Sequence, residues 1–144
     1  MAERRGSAYA GTMHITGSCH CGAIRYEAEA DPARTALCHC HDCQKLSGAP
    51  WRASVRVDAG DFRVTGEPKV YVKTAESGTR RGQAFCPECG SGLYAFTVDD
   101  PQVYALRLGT VDQRAELPPQ SQIWCDSALP WASDIRALPA SPGQ

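Results

Sequence analysis

The sequence predicts a mainly β domain of short antiparallel strands with at most one or two short helical turns. Three observations carry that prediction. Apolar residues recur at every second position in two separate stretches, the signature of half-buried strands. The remaining strand-like runs are short and are punctuated by Gly, Pro and Asp. The chain has 144 residues, of which 42% are hydrophobic, enough for one hydrophobic core and not for two.

In chain order, residues 1–12 are small, polar and aperiodic, and are set aside as an N-terminal extension; Met13 stands at the first strand-like start. Ile24, Tyr26 and Ala28 alternate with Arg25, Glu27 and Glu29, and Trp51, Ala53, Val55 and Val57 alternate with Arg52, Ser54 and Arg56. Further strands are expected at 61–65, 69–73, 83–85, 93–98, 103–108 and 122–125. Turn signals separate them, such as Thr-Gly-Glu-Pro at 65–68 and Val-Asp-Asp-Pro at 98–101. The one helix expected lies at 41–47, ended by Gly48 with Pro50 just beyond. Residues 138–144 read as a C-terminal tail, which leaves 13–137 as the single domain.

Fifteen Lys and Arg against sixteen Asp and Glu give a formal charge of -1. No bulk field therefore draws the chain to nucleic acid or anionic lipid. No apolar stretch approaches the roughly 20 residues of a membrane span, and residues 1–12 hold no apolar run of the secretory kind. The expectation is a cytoplasmic protein with no membrane partner. Its eight cysteines fall below the roughly 8–10% of a secreted disulfide scaffold. In a reducing compartment clustered thiols more often hold metal than pair with each other, so zinc is the leading expectation.

The cysteines group as Cys19-x-Cys21, Cys38-x-Cys40-x-x-Cys43, Cys86-x-x-Cys89 and a lone Cys125. In an extended segment residues i and i+2 share a face, so each Cys-x-Cys aims two sulfurs together and sends His20 or His39 the other way. The run Phe85-Cys-Pro-Glu-Cys-Gly-Ser91 has the form of a zinc knuckle, in which Gly90 is free to take a positive φ. Cys19, Cys21, Cys86 and Cys89 then supply the four ligands of a closed structural zinc, stapling the first strand to a late hairpin. Cys38, Cys40 and Cys43 supply three, with Cys43 on the first helical turn, where the helix N-terminus favours an ionised sulfur. Three protein ligands leave a position open for substrate. Alternatively Cys125 closes this second site into another purely structural one.

Other candidates carry less information. His14 is expected at an exposed strand end, while His20, His39 and His41 are given contacts around the ligands or at the surface and no catalytic role. Lys45, Arg52, Arg80 and Arg81 read as solvated charges, unless one lies beside the open metal position, where it would hold a substrate carboxylate. Trp124 and Trp131 read as core or rim aromatics.

Four motifs in order then carry a resemblance. Gly17-Ser-Cys-His-Cys-Gly-Ala-Ile-Arg-Tyr26, Cys38-His-Cys-His-Asp-Cys-Gln-Lys-Leu-Ser-Gly48, Phe85-Cys-Pro-Glu-Cys-Gly-Ser91, and Ile123-Trp124 with Leu129-Pro-Trp131 together resemble the glutathione-dependent formaldehyde-activating enzyme family, which includes centromere protein V. The resemblance spans about residues 14–132. It implies a zinc-stapled β-tent fold, a structural zinc at Cys19, Cys21, Cys86 and Cys89, and a second zinc at Cys38, Cys40 and Cys43. That second site is tied in the family to glutathione binding and carbon-sulfur chemistry. Where the family often has a histidine this chain has Gln122, and Cys125 is an addition; both bear against an acid–base role there.

The function expected on this basis is a zinc-dependent carbon-sulfur lyase or thiol-adduct synthase. It would join or cleave a thiol such as glutathione and a small electrophile, typically an aldehyde such as formaldehyde. The alternatives are a non-catalytic zinc-stapled binding module with two closed sites, and a redox or metal sensor built on Cys38–Cys43.

Overall fold

The structure, a computed structural model, describes residues 11–144. Most of the 1–12 extension thus lies outside the described residues. Ten strands form two sheets: β1 (Met13–Ser18), β2 (Arg25–Ala30), β3 (Thr35–Cys38), β4 (Arg52–Asp58), β5 (Phe62–Thr65), β6 (Lys69–Thr74), β7 (Arg80–Phe85), β8 (Gly92–Thr97), β9 (Val103–Arg107) and β10 (Ser121–Ile123). One α-helix, α1 (His41–Ser47), and several single 3-10 turns complete the described elements. The smaller sheet has the order β1-β2-β5, the larger β10-β3-β4-β9-β8-β7-β6. The chain is therefore mainly β, as its alternation predicted. No helix among the described residues is long and apolar enough to cross a membrane.

The alternation decides which face of each strand is buried. Tyr26, Ala28 and Ala30 of β2 point into the core while Arg25 and Glu27 are exposed, and Val55 and Val57 of β4 are fully buried between exposed Arg56 and Asp58. A cluster of rings joins the two sheets. Phe62 of β5 lies 4.8 Å from Tyr104 of β9 and 5.0 Å from Tyr94 of β8 between ring centroids, with Tyr26 at 5.8 Å. Edge and tilted contacts of this kind add to the area they bury.

α1 is bounded as its sequence predicted. Cys40 caps its start, and Gly48, in the left-handed conformation at φ 65°, ends it by returning its N–H to the Gln44 carbonyl. An ion pair between Lys73 and Asp42 ties the helix to β6.

The structure also adds to the sequence reading. β3 pairs antiparallel with β4 and parallel with β10, so one pairing departs from the antiparallel pattern expected. Thr35–Cys38 is too short, and lacks the apolar–polar alternation, to announce a strand; its neighbours on both sides make it one. The last strand stops at Ile123 rather than running to Cys125, because Trp124 turns the chain at φ 59°.

Gly17 of β1 packs against Tyr26 of β2 and against the 3-10 turn that follows β9. A Cβ there would stand 2.2 Å from the Tyr26 ring and 2.6 Å from the Thr110 carbonyl oxygen, and the Tyr26 hydroxyl bonds the Thr110 hydroxyl at 2.7 Å. A side chain at Gly60, by contrast, would meet nothing within 4 Å. Gly17→Ala is expected to lower the unfolding free energy by about 1–3 kcal/mol, and Gly60→Ala to change it by less than about 1 kcal/mol. Urea unfolding followed by circular dichroism measures both, and equal midpoints for the two variants would contradict this packing.

Candidate metal centres

Two groups of sulfurs are assembled by the fold. Cys19 follows β1, Cys21 lies in the turn after it, and Cys86 and Cys89 lie in the turn between β7 and β8. Their four sulfur atoms all fall within 4.8 Å of one another. Cys19 and Cys21 are 3.7 Å apart, and Cys21 and Cys86 3.8 Å. A tetrahedral zinc with Zn–S near 2.3 Å requires sulfur–sulfur edges of about 3.8 Å, so the donor set and its spacing both fit that ion. Backbone groups complete the fit: the Ile24 N–H points at Cys19 Sγ at 3.3 Å and the Glu88 N–H at Cys86 Sγ at 3.4 Å. The knuckle closes as Gly90, at φ 82°, donates its N–H to the Cys86 carbonyl at 2.8 Å.

The pair Cys19-x-Cys21 reaches this geometry differently from the extended arrangement expected. Residues 20 and 21 form a turn, held by the Gly22 N–H on the Cys19 carbonyl at 3.2 Å. The intervening His20 is exposed, its backbone N–H donating to Ser91 Oγ at 3.0 Å. Crowding also splits the thiols. Hydrogen bonds from Ser91, side chain first and then backbone, pull Cys89 down to about 5. Cys21 is pushed up to about 11: the Ala23 N–H favours its thiolate, but Cys19, burial and the other sulfurs together outweigh that N–H. Four thiolates this close need a cation among them.

The second group is Cys38 at the end of β3, Cys40 at the helix cap and Cys43 inside α1, again within 4.8 Å of one another. Cys38 and Cys40 are 3.4 Å apart, with the backbone at Cys40 extended as the i, i+2 argument required. The helix N-terminus acts on a different sulfur from the one expected. Cys40 Sγ accepts the Cys43 N–H at 3.3 Å, and this bond, against burial, lowers the Cys40 thiol. Cys43 is itself buried, and burial followed by the neighbouring Cys38 sulfur pushes it up to about 12.

The surroundings of this trio are well braced. His39 is buried on the side away from it, its Nε2 2.8 Å from Gln122 Oε1 and its ring 6.2 Å from Trp51. Gln44 donates to the His39 carbonyl at 2.8 Å and to the Ser127 carbonyl at 3.1 Å. Gln122 thus holds β10 against the cysteine loop. Cys125 is exposed and stands outside both groups, so it does not close the trio. Trp124 and Trp131 are exposed at 65% and 59%, not core.

Among the charged residues named from sequence, Lys45 and Arg80 are exposed, the latter paired with Asp99. His14 is exposed on β1 beside Glu27 and Glu29, and His41 is exposed at the helix start. Arg52 and Arg81 are not solvated: both are partly buried and border a cavity of about 160 Å³ that Cys38 and Cys43 also line. Arg107 joins them and was missed from sequence. Alternation puts Arg107 on one face of β9, but only the pairing that sets it opposite Ser54 brings it to the face that Arg52 shares. A larger cavity of about 600 Å³ adjoins, reaching from Leu46 past Trp51 to Gly90, with Arg52 and Arg107 common to both.

Comparison with known proteins agrees with this arrangement. The family described as "Glutathione-dependent formaldehyde-activating enzyme" matches residues 14–127. A Halomonas elongata protein provisionally named as such an enzyme is 29% identical over 113 residues, covering 75% of this chain and 72% of its own. The crystal structure of a Rhodobacter sphaeroides protein superposes with a TM-score of 0.58 at 20% identity, over 74% of this chain and 98% of that one, and at that identity it speaks to the fold alone. With the match running through both cysteine groups, the chain belongs to the glutathione-dependent formaldehyde-activating enzyme family.

Proposed function

We propose that the protein is a zinc-dependent carbon-sulfur lyase or thiol-adduct synthase that joins or separates a thiol of the glutathione type and a small carbonyl electrophile. The observation that carries this reading is the inequality of the two sulfur groups: four sulfurs gather in one and three in the other, and Cys38 and Cys43 of the three line a cavity together with Arg52, Arg81 and Arg107. A closed set of four suits a structural site, and a set of three beside a cavity suits one that admits a substrate atom.

Cys38, Cys40 and Cys43 would hold the zinc, whose Lewis acidity when bound would keep an incoming thiol ionised at neutral pH. The chain's own residues then do the positioning. The Cys43 N–H stabilises negative charge on Cys40 Sγ. Gln122 and His39 lock β10 against the cysteine loop, so the three sulfurs keep their spacing. The larger cavity has the volume of an ordinary small-molecule site and takes the peptide body of the thiol. Arg52 and Arg107, on the wall between the two cavities, present guanidinium groups to whatever carboxylate the substrates bring. Holding thiol and carbonyl carbon together turns a two-body encounter into a local one. The adduct forms readily in water, so positioning is the main source of acceleration.

The metal assignment is tested by zinc content. The protein is expected to bind about two zinc ions per chain, Cys40→Ser about one with the fold retained, and Cys125→Ser both. Cys86→Ser is expected to lose its cooperative unfolding transition, because a structural zinc contributes folding energy directly. Loss of one zinc from Cys125→Ser would instead favour two closed sites and a non-catalytic module. The thiol assignment is tested by calorimetric titration with glutathione, where Cys43→Ser is expected to abolish binding and Cys125→Ser to leave it unchanged. Equal binding by wild type and Cys43→Ser would remove the trio from the reaction.

A further inference from the structure

The outer face of the seven-stranded sheet carries four guanidinium groups, Arg52, Arg56, Arg81 and Arg107, that no carboxylate of the described residues pairs with. The pleat puts Arg52, Ser54 and Arg56 of β4 on one side. Register sets Arg107 opposite Ser54, Ala105 opposite Arg56, Ala95 opposite Ala105, and Gln83 opposite Ala95. Arg81, two residues before Gln83, stands opposite Thr97 and donates to its hydroxyl at 2.9 Å. The arginines are held by neutral acceptors: Arg107 donates to Ser54 Oγ at 2.7 Å and to Gln83 Oε1 at 2.9 Å, and Arg52 donates to the same Gln83 oxygen at 3.2 Å. The Arg52 Nε is buried and has no hydrogen-bond partner.

Nearby acids are engaged elsewhere. Asp42 pairs with Lys73, Asp58 with Arg34 and Asp99 with Arg80. Asp100 borders a second cavity with Arg56 and Arg81, yet among the described residues no carboxylate oxygen pairs with Arg52, Arg56, Arg81 or Arg107 within the 4.0 Å of an ion pair. The cost of this arrangement is visible in the groups themselves. Burial, then the charge of Arg52, pushes Arg107 down to about 9, and burial with Arg56 and Arg52 lowers Arg81. Both remain cationic at neutral pH, and an anion among them would relieve the repulsion.

The space between them is small and already shaped. Ala36, Ala95 and Ala105 line it where larger side chains would fill it, leaving the cavity of about 160 Å³ that Cys38 and Cys43 also line. At the roughly 30 Å³ that a water occupies, it holds about five non-hydrogen atoms. That is more than formaldehyde needs and far less than a tripeptide.

We propose that this arginine box seats the carboxylate of the electrophile, so that the electrophile is a small α-oxo acid of the glyoxylate class rather than a neutral aldehyde. The proposal rests on the thiol-adduct reading given above. In the step it implies, the thiol sulfur bonds to the carbonyl carbon, the carbonyl π bond opens, and its oxygen takes the proton the thiol gives up. No oxidant or reductant enters, and the carboxylate stays bound throughout. The reverse step breaks the same carbon-sulfur bond.

Calorimetric titration of the full-length, metal-loaded protein with glycolate, which cannot form the adduct, tests the box directly. Glycolate is expected to bind saturably, while ethylene glycol, its uncharged counterpart, and inorganic phosphate bind far more weakly. Arg56→Gln and Arg81→Gln are each expected to weaken glycolate by about tenfold, the loss of one charge-assisted hydrogen bond. They are chosen over Arg107→Gln because Arg107 also ties β9 to β4 and β7. S-methylglutathione separates the sources of the carboxylate. If the two arginine variants weaken it and leave glycolate untouched, the box serves the thiol and the proposal fails. It fails equally if glycolate does not bind or if phosphate binds as tightly. Since glycolate needs no thiol, this result is independent of the Cys43→Ser titration that tests the underlying reading.

Discussion

Four sulfurs drawn to within 4.8 Å of one another are the constraint on which the rest of the structure depends. Two of them follow β1 of the three-stranded sheet and two lie between β7 and β8 of the seven-stranded one. The chain between them carries β2 to β7, most of both sheets. Thiolates crowded this closely repel each other, and the raised Cys21 thiol expresses that conflict, while the Ser91 hydrogen bonds hold Cys89 down. A divalent cation held among them would resolve it and would turn a repulsive cluster into a tie between the sheets.

With the sheets fixed, the trio acquires its own geometry. β3 is held on both sides, by β4 and by β10, and it delivers Cys38 to the edge of the face that bears the arginines. The cap of α1 places Cys40 and Cys43 against it. The same strand pairings that bury Val55, Val57 and Leu106 on one side align Arg52, Ser54 and Arg107 on the other. Core and site are therefore two faces of one register, and a slip of one residue in β4 would exchange them. Small side chains at Ala95 and Ala105 and neutral acceptors at Gln83 and Ser54 keep the arginine face open and cationic.

Much of this was legible in the sequence because it is local. Alternation at Ile24–Ala28 and Trp51–Val57, the Gly48 stop and the Gly90 knuckle depend on a few neighbouring residues, and each appeared where expected. Cysteine spacing likewise fixed which sulfurs meet. What escaped depends on distant partners. β3 is a strand only because β4 and β10 flank it. Arg107 lies far in sequence from Arg52, and only the β4–β9 register brings them together. Arg81 resembles its neighbour Arg80 in sequence, yet the pleat turns Arg81 to the partly buried face that Gln83 and Arg107 share and leaves Arg80 paired with Asp99 at the surface. Even the helix cap misled in one detail, since spacing alone does not tell whether Cys40 or Cys43 receives the terminal N–H.

Cadmium NMR on the cadmium-substituted protein tests the central claim most directly, because the metal's chemical shift counts its sulfur ligands. Two resonances are expected: one at the position of a four-sulfur site that ignores glutathione, and one at the position of a three-sulfur site that moves toward the first when glutathione is added. Two four-sulfur resonances from the outset, or a second resonance that glutathione leaves in place, would contradict it.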